Sequence, residues 1–191
     1  MANPAVFLDR DGVLVPDDGA FDANDVRLLD EVPASLARLH AHGFTLIVVS
    51  NQTIIARGLA VEADVIAANE LIRDRITVAG GPRVAAFYFC PHHPNATLDR
   101  YRFDCDCRKP SPGLLRRAAA EHALDLNRSF MIGDRITDVI AGAAAGCRTI
   151  LVETGRHLDP PIETAMPIDT RIRPDYVCAG LAAAADWILT R

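Results

Sequence analysis

Short apolar runs punctuate this chain at Ala5 to Leu8, Phe44 to Val49, Val84 to Phe89, Phe130 to Ile132, Thr149 to Val152 and Tyr176 to Cys178. Several are almost uniformly apolar. A strand with one wet face alternates apolar and polar residues, whereas a strand covered above and below does not. The runs therefore predict strands of a parallel sheet buried on both faces. Helical patterns fill the intervals. Val32, Leu36 and Leu39 share one helical face, Pro33 suits a first turn, and Gly43 can stop the helix before the next strand. Residues 60–78 read as a second helix, Ser111-Pro112 as the start of a third, residues 135–145 as a fourth ending at Gly146, and Leu181 to Leu189 as the last. Strand and helix in alternation imply right-handed crossovers. The expected class is α/β, a Rossmann-like, doubly wound and mainly parallel sheet with helices on both faces.

Composition bounds what such a sheet can serve. Half of the 191 residues are hydrophobic and 24% are charged, enough for one ordinary core, so residues 1–191 are expected to form a single domain. A net charge of −5 lacks the basic footprint of a dedicated nucleic-acid binder, yet leaves room for a small anionic substrate in a locally basic pocket. No apolar run approaches the ~20 residues of a membrane span. The run before Asp9 is too short for the core of a secretory signal. A cytoplasmic monomer with neither nucleic-acid nor membrane partners is expected.

In open α/β sheets ligands bind outside the carboxyl ends of the strands. The residues that follow the runs are Asp9 and Asp11, then Ser50, Asn51 and Gln52, then Cys90, His92 and His93, then Gly133 and Asp134. Two carboxylates two residues apart, as in Asp9-Arg10-Asp11-Gly12, suit a magnesium site combined with covalent catalysis: one attacks phosphorus and the other handles a proton. The same residues also fit a helix cap or an Asx-turn. Asp134, with Asp138, adds carboxylate after another strand. Ser50 and Asn51 can donate to phosphate oxygens, and Lys109 can neutralise a transferring phosphoryl group.

Five cysteines are an odd number, and three of them lie at Cys90, Cys105 and Cys107. With His92 they supply three thiols and an imidazole, the donor set of a closed structural zinc site. Zinc there would fold a loop of about 90–108 and present Arg108 and Lys109 directly after its last ligand. Cys147 and Cys178, in apolar surroundings, read as buried small hydrophobes.

Phe7 to Gly12, Ser50-Asn51-Gln52, Arg108-Lys109-Pro110 and Gly133-Asp134-Arg135 with Asp138 resemble the four motifs of the haloacid-dehalogenase-like phosphatases. Cys-Pro-His-His-Pro at 90–94, Cys-Asp-Cys-Arg-Lys-Pro at 105–110 and Ile55-Ala56-Arg57-Gly58 resemble one branch, the D-glycero-D-manno-heptose 1,7-bisphosphate phosphatases. The resemblance implies a compact enzyme without a large cap domain. It makes Asp9 the nucleophile that forms an aspartyl-phosphate. Asp11 would protonate the leaving alcohol and then activate water. Magnesium would be held by Asp9, the Asp11 backbone carbonyl and Asp134. Ser50, Asn51 and Lys109 would hold the transferring phosphoryl group, Arg108 and Arg57 the distal substrate, and Cys90, His92, Cys105 and Cys107 the zinc.

Successive residues of an extended segment point in opposite directions. Lys109 can thus serve the reacting phosphate while Arg108 reaches a second anion. A heptose bisphosphate supplies one, which favours hydrolysis of its 7-phosphate. Histidinol phosphate, the substrate of a neighbouring branch with a similar zinc loop, does not. A non-catalytic module phosphorylated on aspartate is the remaining reading, although it needs neither Asp11 nor a zinc loop. Three features depart from the branch: Ile54 where glycine is usual, Ala20 where a glycine-aromatic pair often stands, and a long proline-containing segment from Arg156 to Arg173.

Overall fold

A computed structural model describes residues 2–17, 26–159 and 171–191. Strands β1 (Ala5–Leu8), β2 (Thr45–Asn51), β3 (Ala86–Cys90), β4 (Phe130–Gly133), β5 (Arg148–Val152) and β6 (Tyr176–Cys178) form one sheet in the order β3-β2-β1-β4-β5-β6. Every neighbouring pair is parallel. The chain winds outward from β1 through β2 to β3, then crosses back to β4 and continues the other way. The reversal lies between β1 and β4, and such a switch point opens a crevice at the carboxyl ends of the strands.

Helices α1 (Val32–Ala41), α2 (Thr53–Ala56), α3 (Glu62–Val78), α4 (Gly113–His122), α5 (Ile136–Ala145) and α6 (Leu181–Leu189) connect or flank the strands. Side-chain alternation sends Val6 and Leu8 of β1 to one face, against Leu36 and Leu39 of α1, Ile72 and Ile76 of α3, and Leu181 and Ile188 of α6. Ala5 and Phe7 go to the other face, against Leu114, Leu115 and Ala118 of α4 and Ala141 of α5. Both sets of positions are apolar because both faces are covered. Each buried side chain of this size is worth about 1.5–3 kcal/mol over leaving it exposed.

The structure adds detail that apolar patterning does not carry. β2 continues past its apolar run because Ser50 and Asn51 pair with Phe89 and Cys90 of β3. These two polar residues are therefore held by the sheet itself rather than by the following turn. The single-turn α2 was not foreseen. It contains Ile54, and among the described residues Ala123 alone of the non-glycine residues has positive φ. Position 54 therefore does not demand glycine here. Gly146 ends α5 in the left-handed region at φ 96°, as its place in the sequence predicts. Cys147 and Cys178 are buried, and burial pushes the Cys147 thiol up to about 12. No helix among the described residues is long and apolar enough to cross a membrane. Ala20 and residues 160–170 lie outside the described residues.

Candidate active site

Asp9 follows β1 directly, and its backbone N–H donates to the Ile132 carbonyl of β4 at 2.9 Å. The residue is thus fixed at the switch point. Its Oδ1 accepts the Arg10 N–H at 2.7 Å, and its Oδ2 pairs with Lys109 Nζ at 3.0 Å. Lys109 is 1% exposed and also reaches Asp138 Oδ1 at 2.5 Å and the Val49 carbonyl at 2.8 Å. Burial works to lower the Lys109 ammonium, but Asp138 and Asp9 outweigh it and the group is raised. Lys109 is therefore a fixed cation among carboxylates.

Asp134 follows β4. Its Oδ2 accepts the Arg156 N–H at 2.7 Å, while its buried Oδ1 has no hydrogen-bond partner among the described residues. The carboxylate is wedged against two glycines. A Cβ on Gly12, whose φ is +79°, would lie 2.5 Å from Asp134 Oδ2, and one on Gly155 would also collide with it. Only residues without a side chain fit there. The Asp134 carboxyl is pushed up to about 6, by burial first and then by Asp138. Asp9 is raised well above the usual carboxylate range by burial, which Lys109 only partly offsets.

Carboxylate oxygens of Asp9, Asp134 and Asp138 lie within 4.8 Å of one another. Three buried carboxylates beside one ammonium leave an excess of negative charge, which is costly without a further cation. A hard divalent cation with oxygen ligands fits this set. Asp138 is already engaged, since Oδ1 faces Lys109 and Oδ2 accepts the Arg135 N–H at 3.0 Å. The orphaned Asp134 Oδ1 and the Asp9 carboxylate are the oxygens best suited to a metal.

The Asp11 carboxylate stands outside this group of three and is held by neighbouring side chains. Arg10 donates to it from Nε at 3.1 Å and from Nη2 at 3.0 Å, and Gln52 Nε2 donates to its Oδ2 at 2.9 Å. Gln52 Nε2 also reaches Ser50 Oγ at 3.3 Å. Asn51 clamps the Lys109 backbone, with Nδ2 on its carbonyl at 2.9 Å and Oδ1 on its N–H at 3.0 Å. Sequence reasoning placed Asn51 on the phosphoryl group. The structure commits its amide oxygen and one amide N–H to positioning Lys109, leaving the other N–H for a ligand.

The four zinc candidates meet. Cys107 Sγ lies 3.1 Å from Cys90 Sγ and 3.3 Å from Cys105 Sγ, and His92 Nδ1 lies 3.3 Å from Cys107 Sγ. Cys90 and Cys105 are 3.5 Å apart. All three cysteines are free thiols. A tetrahedral zinc with Zn–S near ~2.3 Å needs ligand separations of roughly 3.5–3.8 Å, so the cluster fits the ion after a slight expansion. Hydrogen bonding with Cys90 pulls the Cys107 thiol down to about 5. The same bond pushes Cys90 up, and burial raises Cys105.

Arg108 and Lys109 diverge. Arg108 Nη1 donates to Thr53 Oγ1 at 3.2 Å and to the His92 carbonyl at 3.0 Å, and its buried Nε has no hydrogen-bond partner among the described residues. Burial lowers its ionisation most, thiol charge opposes that, and the charge of Arg57 adds to the lowering. Arg57 itself is exposed.

Sequence reasoning missed three participants. Gln52 was read as part of a motif, not as a partner of Asp11. Arg10 was read as the spacer between two aspartates, and Asn69 as one residue of an ordinary helix. The signal for Asn69 was a polar residue on the apolar face of α3, beside Val65, Ala68 and Ile72.

Comparison with known proteins agrees with this geometry. Residues 106–184 match the HAD-hydrolase-like family model. The fold and the carboxylate–lysine site define a phosphatase of the haloacid-dehalogenase-like class. The D-glycero-beta-D-manno-heptose-1,7-bisphosphate 7-phosphatase of Photorhabdus laumondii is 40% identical over 164 residues, 85% of this chain and 87% of the relative. That of Escherichia coli K12 is 38% identical over 168 residues, 85% of each. The crystal structure of D,D-heptose 1,7-bisphosphate phosphatase from B. bronchiseptica, complexed with magnesium and phosphate, superposes with a TM-score of 0.78 at 33% identity and covers 98% of both chains. The chain belongs to this family of heptose-bisphosphate phosphatases.

Proposed function

We propose that this protein is a magnesium-dependent phosphatase that removes the 7-phosphate of D-glycero-D-manno-heptose 1,7-bisphosphate through an aspartyl-phosphate on Asp9. The names of the relatives support the substrate. In this chain the observation that carries it is Arg108, whose buried, unpartnered Nε sits within the electrostatic reach of Arg57. Two guanidinium groups within each other's electrostatic reach suit a substrate with a second phosphate.

Asp9 attacks phosphorus, and Asp11 delivers a proton to the leaving alcohol oxygen. Water then adds to the phosphorus of the aspartyl-phosphate, giving its proton to Asp11 and returning the bonding pair to the Asp9 carboxylate. Lys109, Ser50 and the free amide N–H of Asn51 hold the phosphoryl oxygens. Asp9, the Asp11 carbonyl and Asp134 would hold magnesium, which supplies positive charge against the phosphoryl oxygens when bound. Cys90, His92, Cys105 and Cys107 would hold zinc and thereby fix the loop 90–108. Residues 1–191 act as one catalytic domain, and the protein works as a monomer in the cytoplasm.

The test compares heptose 1,7-bisphosphate with histidinol phosphate in wild type and Arg108→Ala. A charge-assisted hydrogen bond contributes roughly 1.5–3 kcal/mol. The substitution should therefore lower kcat/KM for the bisphosphate about ten- to a hundredfold and change simple monophosphates much less. Preference for histidinol phosphate, or an equal loss on both, would contradict the substrate.

A further inference from the structure

The residue between the two functional aspartates, Arg10, is 4% exposed. A buried guanidinium is costly unless its donors are matched. Here Nε and Nη2 grip Asp11 Oδ1 at 3.1 and 3.0 Å, and Nη2 also meets Asp11 Oδ2 at 3.0 Å. Nη2 donates to Gln52 Oε1 at 2.7 Å, and Nη1 reaches Asn69 Oδ1 on α3 at 3.4 Å. Gln52, 3% exposed, closes the ring by donating to Asp11 Oδ2 at 2.9 Å. It then passes the connection to Ser50 Oγ at 3.3 Å. Arg10, Asp11 and Gln52 therefore form a closed triangle of hydrogen bonds, and α3 braces one corner.

We propose that Arg10 and Gln52 are positioning residues that clamp the Asp11 carboxylate in the orientation from which it activates water against the aspartyl-phosphate. This rests on the functional reading above. A carboxylate with free rotation presents its lone pairs to the water only part of the time. The triangle fixes both oxygens, and the Gln52–Ser50 contact ties that orientation to the pocket that holds the phosphoryl group. The Arg10 and Gln52 side chains bond Asp11, while the Asp9 carboxylate takes the Arg10 backbone N–H, which a side-chain substitution leaves in place. Their effect is transmitted through Asp11, so it should fall on the steps in which Asp11 moves a proton.

The two half-reactions separate this effect from a structural one. With p-nitrophenyl phosphate the leaving group departs without a proton, so formation of the aspartyl-phosphate does not need Asp11. Its hydrolysis does. Gln52→Met keeps the volume of the side chain and removes both its donor and its acceptor. Arg10→Lys keeps the charge and removes the fork. In rapid-mixing experiments with magnesium, each variant should release a burst of nitrophenol larger than that of wild type and approaching about one per chain. Steady turnover should then be slower by roughly ten- to a hundredfold, with kcat and KM falling together. On heptose 1,7-bisphosphate, whose alcohol must be protonated to leave, the same variants should slow without a burst.

Wild-type kcat in both variants would overturn the clamp. So would a loss of kcat on p-nitrophenyl phosphate with no burst, because a misfolded fraction lowers amplitude and rate together. If Gln52→Met fails to melt cooperatively, Arg10→Lys decides the matter. A wild-type protein that turns over neither substrate would overturn the phosphatase function itself; normal wild-type turnover with unaltered variants would overturn the clamp alone.

Discussion

Asp9, the proposed nucleophile, sits in surroundings that discourage it from ionising. Burial and the neighbouring Asp138, Asp134 and Asp11 raise its carboxyl, and Lys109 alone works the other way. Replacing it with Asn keeps the shape and removes the anion. Asp9→Asn should abolish phosphate release while the melting profile survives, and substantial turnover by the folded variant would remove Asp9 from the role of nucleophile. Asp134 gives a second expectation at this scale. Folding raises its carboxyl to about 6. A raised acid favours the native state at low pH, and that contribution fades as pH climbs through the folded value. Protein kept free of magnesium should therefore lose melting temperature between roughly pH 4 and pH 6, and added magnesium should restore most above that window. A melting temperature that rises across that window, with no larger magnesium effect at neutral pH, would contradict the reading of the site.

Among elements, the loop that carries the Cys90, His92, Cys105 and Cys107 cluster is tied through the backbone to Arg108 and Lys109. The carbonyl of His92 fixes Arg108, and Asn51 fixes Lys109 from the end of β2. Structural zinc contributes on the order of 10 kcal/mol of apparent binding energy in small domains. Cys107→Ala should release zinc and lower turnover by loosening Arg108 and Lys109, and metal analysis should find one zinc per wild-type chain. A zinc-free wild-type protein with full activity would sink this link. The cluster was legible in sequence because its members come in close pairs, Cys90 with His92 and Cys105 with Cys107. The strands were legible because burial on two faces leaves apolar runs. What escaped was set by partners distant in sequence. α2 is too short for periodicity to register, β2 is extended by pairing with β3, and the Asp11 ring joins residues 10, 52 and 69. The commitment of Asn51 to the Lys109 backbone joins two motifs that are 58 residues apart.

Across the whole molecule, the sheet order sets what can meet. Because winding reverses between β1 and β4, Asp9 and Asp134 emerge side by side. Lys109 reaches Asp9 and Asp138 from the loop before α4, and Arg108 departs from the same loop toward Thr53 at the start of α2. In the proposed function the reacting phosphoryl group would meet the buried carboxylates and one ammonium, and the distal substrate would meet the guanidinium groups of Arg108 and Arg57. A bisphosphorylated sugar matches that division of charge. The most direct test follows the phosphorus NMR spectrum of heptose 1,7-bisphosphate incubated with the magnesium-loaded protein. The 7-phosphate resonance should vanish as inorganic phosphate appears, while the 1-phosphate resonance persists. Release of the 1-phosphate, or two intact resonances beside active-site residues shown to be folded, would contradict the proposed function.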